Sequence, residues 1–159
     1  MSDDHERRAK LARLNEVFCD FVPHNRALGL TFLDHGPGLA VLRLPYRPEL
    51  VGDPDSGVIH GGAITAFLDA ASGASVFLAM PSPTPIATLD LRIDYLRPAT
   101  PHRDVIARAT CTRLTRNVAF VRAVAFHDSE EDPIATSSAS FMLATRGDPA
   151  FKVSKEGAS

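Results

Sequence analysis

The segment His60-Gly61-Gly62-Ala63-Ile64-Thr65-Ala66-Phe67-Leu68-Asp69 combines two features that can do chemistry together, a pair of glycines and, eight residues after the first, a carboxylate. The glycines open an apolar run reaching about Met80, and the first backbone N–H groups of such a helix have no intrahelical acceptor and sit at its positive end. With no side chain at Gly61 or Gly62, a carbonyl oxygen can approach those N–H groups as in an oxyanion hole. Aspartate is unfavourable in a helix interior and costly to bury unpaired. Asp69 is therefore either a plain surface residue or a chemical one, and the glycine-opened start favours the second. At about 1.5 Å per residue the donor and the carboxylate lie about 12 Å apart along the axis, too far for one Asp side chain to bridge. An antiparallel two-fold mate brings Gly61 of one helix opposite Asp69 of the other, so the spacing predicts a dimer with two equivalent shared sites.

At about 100° per residue, Gly62, Thr65, Ala66, Ser72, Gly73 and Val76 fall on the Asp69 side of this helix. Ile64, Phe67, Leu68, Ala71, Ala74 and Leu78 fall opposite and form the face for a sheet. The small residues beside Asp69 suit a ligand or a second backbone.

The rest of the chain supplies that sheet. Residues 1–22 read as an amphipathic helix with Leu11, Leu14, Phe18 and Phe21 at spacings of three and four, stopped by Pro23. Strands are expected around Leu30–Asp34 and Leu39–Leu44, joined by the turn His35-Gly36-Pro37-Gly38. A polar loop, Pro48 to Gly57, precedes the central helix. Beyond Pro81, Pro83 and Pro85, four strand candidates follow: Thr88–Leu96, Val105–Thr112, Val118–His127 and Ile134–Leu143. In the first, Leu89, Leu91, Ile93 and Tyr95 alternate with Thr88, Asp90, Arg92 and Asp94, which predicts one buried face. Short connections between the strands predict antiparallel pairing. The pattern is α+β, a curved antiparallel sheet around one helix. It gives three parts: the N-terminal helix, a domain over residues 23–146, and a flexible tail over 147–159.

Composition narrows the function. The chain has 159 residues, enough for one self-sufficient core, and a net charge of −2, which leaves no footprint for nucleic acid or anionic membrane. Its charged N-terminal segment lacks the apolar stretch of a signal peptide, and no run of about 18 consecutive apolar residues predicts a membrane span. A cytoplasmic location is expected. Cys19 and Cys111 match no metal-ligand spacing and read as ordinary thiols, and no metal site is expected. There is no phosphate-cradling glycine motif.

Gly57-Val58-Ile59-His60-Gly61-Gly62-Ala63 with Leu68-Asp69, the strand Ala87 to Ala99 with its D-x-x-x-x-Y-x-R-P pattern, and Leu28-Gly29-Leu30 resemble the hotdog acyl-CoA thioesterases, in the phenylacetate-degradation (PaaI-like) branch. The resemblance covers about residues 23–145. It implies a hotdog fold, dimers made by pairing sheets edge to edge and further pairing into tetramers, and hydrolysis of acyl- or aroyl-CoA. No cofactor is implied beyond the CoA of the substrate. By position, the Gly61 N–H would polarise the thioester carbonyl, and Asp69 of the partner would act as general base or nucleophile. Thr88 would orient water or substrate, His60 would fix the loop and helix start, and Gly62 would lie against the substrate. Arg97 and the hairpin carrying Arg113, Arg116 and Asn117 would meet the coenzyme's phosphates. Asp53 stands near where such enzymes often carry asparagine, and a carboxylate there cannot donate the same hydrogen bond unless protonated. The rival implication is a hotdog protein that binds acyl-CoA without hydrolysing it, although binding alone needs no carboxylate beside the thioester.

Overall fold

The computed structural model describes residues 2–144, so the expected tail over 147–159 lies outside the described residues. The N-terminal helix is built in two pieces, α1 (Ser2–Leu14) and a wider π-type stretch, Asn15–Asp20. Leu11, Leu14 and Phe18 pack on the core as their spacing predicts, but Phe21 is 82% exposed. The π stretch changes the angle per residue, so a step of three beyond Phe18 no longer returns to the packed face. Asn15 fastens this segment to the sheet, accepting from the Phe32 N–H at 2.8 Å. Pro23 ends one helix and begins another, α2 (Pro23–Leu28), closed by Gly29 at φ 72°. Proline in the first turn and glycine just past the last are a helix signature that the sequence carries openly.

Eight strands follow: β1 (Thr31–Gly36), β2 (Leu39–Leu44), β3 (Val51–Asp53), β4 (Val58–Ile59), β5 (Ile86–Tyr95), β6 (Val105–Leu114), β7 (Val118–Phe126) and β8 (Ala135–Leu143). Six form one antiparallel sheet in the order β1-β2-β6-β7-β8-β5. The other two, β3 and β4, make a small hairpin, β3 within the expected polar loop Pro48 to Gly57 and β4 just after it, which delivers the chain to His60. The central helix, α3 (Gly61–Ala79), lies in the curve of the large sheet. Ile64, Phe67, Leu68 and Ala71 are buried there against Leu42, Leu44, Val105 and Val121. Small inner-face residues (Ala107, Ala109, Ala119, Ala125, Ala135) let helix and strands approach closely. By length and composition α3 resembles a membrane span, yet half of that window is buried inside the chain's own fold.

Two expectations about faces are corrected. Ser72, Gly73 and Val76, placed with Asp69 on the side expected to meet a ligand or a second backbone, are buried within the chain. A Cβ at Gly73 would meet Ile86 at 3.5 Å and Phe141 at 3.8 Å, because β5 and β8 curl over the second half of α3. The open strip therefore ends at Asp69. The second correction concerns β5. Its pairing with β8 slips between Thr88 and Asp90, leaving Leu89 as a bulge, and Leu89 is 54% exposed rather than buried. A bulge reverses the alternation of faces. Thr88 and Tyr95, seven residues apart and on opposite faces under strict alternation, both turn towards α3.

Candidate active site

His60 sets up the start of α3. Its Nδ1 accepts from the Gly62 N–H at 2.8 Å, and its carbonyl accepts from the N–H groups of Ala63 at 2.9 Å and Ile64 at 3.4 Å. Accepting at Nδ1 requires the neutral ring with its proton on Nε2. The four N–H groups that this helix start leaves without an i−4 acceptor are those of His60, Gly61, Gly62 and Ala63, and three are taken: Gly62 and Ala63 by His60, and the His60 N–H by the Leu50 carbonyl at 2.8 Å. Of these four, the Gly61 N–H alone has no acceptor among the described residues. The ring fits because two neighbours lack a Cβ: one added at Gly62 would lie 2.9 Å from Nδ1, and one at Gly52 would lie 2.9 Å from the His60 Cα. Gly62 serves this cap, and its N–H is not open to a ligand.

Gly61 is different. Its backbone is outside the left-handed region, and a Cβ there would meet nothing closer than the Tyr95 hydroxyl at 3.5 Å, an ordinary contact. Neither conformation nor packing within the chain demands glycine, and the remaining physical reason is room for a group approaching its N–H. The Gly61 carbonyl is held by two hydroxyls, Tyr95 at 2.6 Å and Thr65 at 3.0 Å, which lie 2.6 Å from each other.

Asp69 is half-buried on the open strip, and the exposed Thr88 donates from Oγ1 to its Oδ1 at 2.9 Å. The bulge at Leu89 lets Thr88 and Tyr95 face α3 from the same strand. Two grooves flank the helix start. One, of about 370 Å³, is lined by Val58, Ile59, Gly61, Ile64, Tyr95 and Leu96. The other, of about 420 Å³, is lined by His24, Leu28, Glu49, Leu50, His60 and Ala66. A cavity of about 430 Å³ with Arg108, Arg122 and Thr136 belongs to the outer sheet face, remote from these groups.

The other sequence-selected residues fall elsewhere. Asp53 is turned into its own loop, accepting from the Ser56 hydroxyl at 2.5 Å and the Asp55 N–H at 3.2 Å. These bonds, the Ser56 one foremost, hold its carboxyl below the usual carboxylate range. Arg97 is spent on the segment before β8: Nε and Nη2 fork onto the Asp132 carboxylate at 3.0 and 2.9 Å, and Nη2 also reaches the Asp132 carbonyl. Arg113 and Arg116 are exposed and, among the described residues, have no ion-pair partner. Their hairpin sits at the end of the sheet that carries Thr88, since Asn117 accepts from the Leu143 N–H and Leu143 faces Ile86. Burial pushes the Cys19 thiol up to about 11 and raises that of Cys111, and both cysteines are free. Among the described residues no group of three or more His, Cys, Asp or Glu is placed to hold a metal. Tyr95, Thr65 and Gly52 were not legible as site residues from spacing alone; Tyr95 stood out only through the family pattern of its strand.

Known proteins resemble this chain in sequence and fold. The family profile described as Thioesterase superfamily matches residues 56–134, which run from the loop before His60 to the start of β8. The medium/long-chain acyl-CoA thioesterase YigI of Escherichia coli is 32% identical over 146 residues, covering 84% of this chain and 93% of YigI. A solved Pseudomonas aeruginosa structure is 42% identical, with a TM-score of 0.75 over 84% of this chain and 98% of that one. A variant of the phenylacetic acid degradation protein PaaI from Thermus thermophilus is 29% identical, with a TM-score of 0.67 over 77% of this chain and 99% of that one. With a helix opened by His60-Gly61-Gly62, Asp69 on its open strip and an antiparallel sheet wrapped around it, the chain belongs to the thioesterase superfamily, in its PaaI-like hotdog branch.

Proposed function

We propose that this protein hydrolyses acyl-CoA thioesters at two equivalent sites, each made from Gly61 of one chain and Asp69 of a second copy. The observation that carries the reading is the single open N–H at Gly61. The other three donors of the helix start are consumed by His60 and Leu50, glycine is required by nothing inside the chain, and an apolar groove runs past it. A thioester carbonyl seated on that N–H sends its acyl and pantetheine arms into the two flanking grooves. Asp69 takes a proton from water as the water adds to the carbonyl, or adds itself to give a mixed anhydride that water then cleaves. Either route places negative charge on the carbonyl oxygen at Gly61 and releases the CoA thiolate.

The edge position of β5 supports a shared site. Among the described residues β5 pairs on one side only, with β8, and its free edge can accept a second copy. Antiparallel pairing about a two-fold between Leu91 and Arg92 sets Tyr95 of one chain opposite the partner's Thr88. Tyr95 holds Gly61 and Thr88 holds Asp69, so this pairing brings the donor of one chain to the carboxylate of the other. Arg113 and Arg116 then reach the coenzyme's phosphates, while Arg97 ties the loop before β8 to the end of β5. The name of YigI favours an aliphatic acyl group, which suits the apolar groove beside Gly61.

The test is free-thiol release across a panel of acyl- and aroyl-CoAs with the wild type and Asp69→Asn. The wild type should turn over medium or long acyl-CoA. Asn keeps an oxygen for the Thr88 hydroxyl, so the variant should fold normally and lose at least about 10² in kcat. Near-native turnover by Asp69→Asn rejects the mechanism, and an inactive wild type rejects hydrolysis.

A further inference from the structure

The start of α3 faces a conflict. Access for a carbonyl oxygen calls for glycine at position 61, and room for the His60 ring calls for glycine at 62. Two successive glycines, however, give the loosest backbone a helix can have. A donor that is to stabilise developing charge must be fixed before the reaction. We infer that Tyr95, assisted by Thr65, is a positioning residue that stiffens the Gly61–Gly62 peptide and so aims the Gly61 N–H. This rests on the role proposed above for Gly61.

The geometry is specific. The Gly61–Gly62 peptide is gripped at both poles: its carbonyl by Tyr95 at 2.6 Å and Thr65 at 3.0 Å, its N–H by His60 Nδ1 at 2.8 Å. The two hydroxyls also meet at 2.6 Å; with the phenol donating to the carbonyl, the single Thr65 proton is shared between that carbonyl and the phenol oxygen. Tyr95 comes from β5, not from α3, and ties the first turn to the sheet edge. It reaches that position only because the bulge at Leu89 shifts the strand's alternation. A tyrosine that served packing alone would not need its hydroxyl here, since the residue is 49% exposed.

Tyr95→Phe keeps the ring and removes only the hydroxyl. Misplacement of a catalytic group by a fraction of its contact distance costs between about tenfold and 10² in rate. The expected result is a kcat fall in that range, with KM for acyl-CoA within twofold and the melting temperature unchanged. In a Gly61→Ala background, where the donor is already blocked, the same substitution should change kcat by less than twofold. Equal loss in both backgrounds, or no loss in the first, overturns the inference. Amide exchange at Gly62 and Ala63, followed by NMR, gives a second readout independent of turnover: it should quicken in Tyr95→Phe at unchanged global stability. Unchanged exchange rejects the brace even if the chain proves not to hydrolyse thioesters, whereas an active Asp69→Asn rejects the proposed chemistry without touching the brace.

Discussion

Replacing Gly61 by alanine separates two reasons for a glycine at a helix start. A Cβ there meets nothing closer than 3.5 Å, and the backbone needs no left-handed conformation. The fold should therefore accept it, and the gain in helix propensity contributes up to about 1 kcal/mol. For a chain of 159 residues, that corresponds to a melting temperature unchanged or raised by about 2–4 °C. The Cβ of a helical residue tilts towards the N-terminus, so the new methyl group stands beside the open N–H, where the carbonyl oxygen must sit. Loss of one oxyanion donor costs about 10²–10³ in kcat, or about 2.7–4 kcal/mol. Gly62→Ala gives the contrast. Its Cβ would lie 2.9 Å from His60 Nδ1, so the ring must leave and a cap of about 1 kcal/mol is lost, cancelling the gain in propensity. Thermal melts and acyl-CoA kinetics on both variants decide. A fully active Gly61→Ala protein refutes the placement of the carbonyl, and a large fall in its melting temperature shows that the glycine serves the backbone instead.

Arg113→Ala combined with Arg116→Ala should raise KM for acyl-CoA several-fold, most strongly at low salt, because their exposed charges are screened as ionic strength rises. Arg97→Ala should leave KM alone and lower the melting temperature by about 2 °C, since its fork to Asp132 is a partly exposed ion pair of about 1 kcal/mol at most. Asp53→Asn should leave kcat/KM unchanged at low and high salt. The folded-state pKa of Asp53 is lowered, so its contribution to stability is present above the ordinary carboxylate value of about 4 and disappears as pH falls through the lowered value. The variant should show a shallower loss of melting temperature over that acid range, read by melts at several pH values.

Helix periodicity and glycine chemistry make α3 and the Gly61–Asp69 pair legible in the sequence, because both depend on spacing within one segment. What spacing does not show depends on partners remote in the chain. The bulge at Leu89 exists only in the register against β8, so strict alternation puts Thr88 and Tyr95 on opposite faces. A helical wheel ranks the faces of α3 but does not tell how far the sheet curls, and for that reason it puts Ser72, Gly73 and Val76 on the open side. Arg97 carries the same charge whether it meets a phosphate or Asp132, and only the fold brings Asp132 to it. The short helix α2 is another matter, since Pro23 and Gly29 announce it.

The shared site is the central claim, and subunit complementation tests it most directly. Gly61→Val chains lack carbonyl access and Asp69→Ala chains lack the carboxylate, so each homodimer should be nearly inactive. In a mixed dimer, one of the two sites joins an intact Gly61 to an intact Asp69, while the other carries both defects. A statistical mixture of exchanged chains, half of it mixed dimers, should recover about a quarter of wild-type turnover. Recovery near that level supports a site built across two copies; no recovery from chains shown to fold and exchange would contradict it.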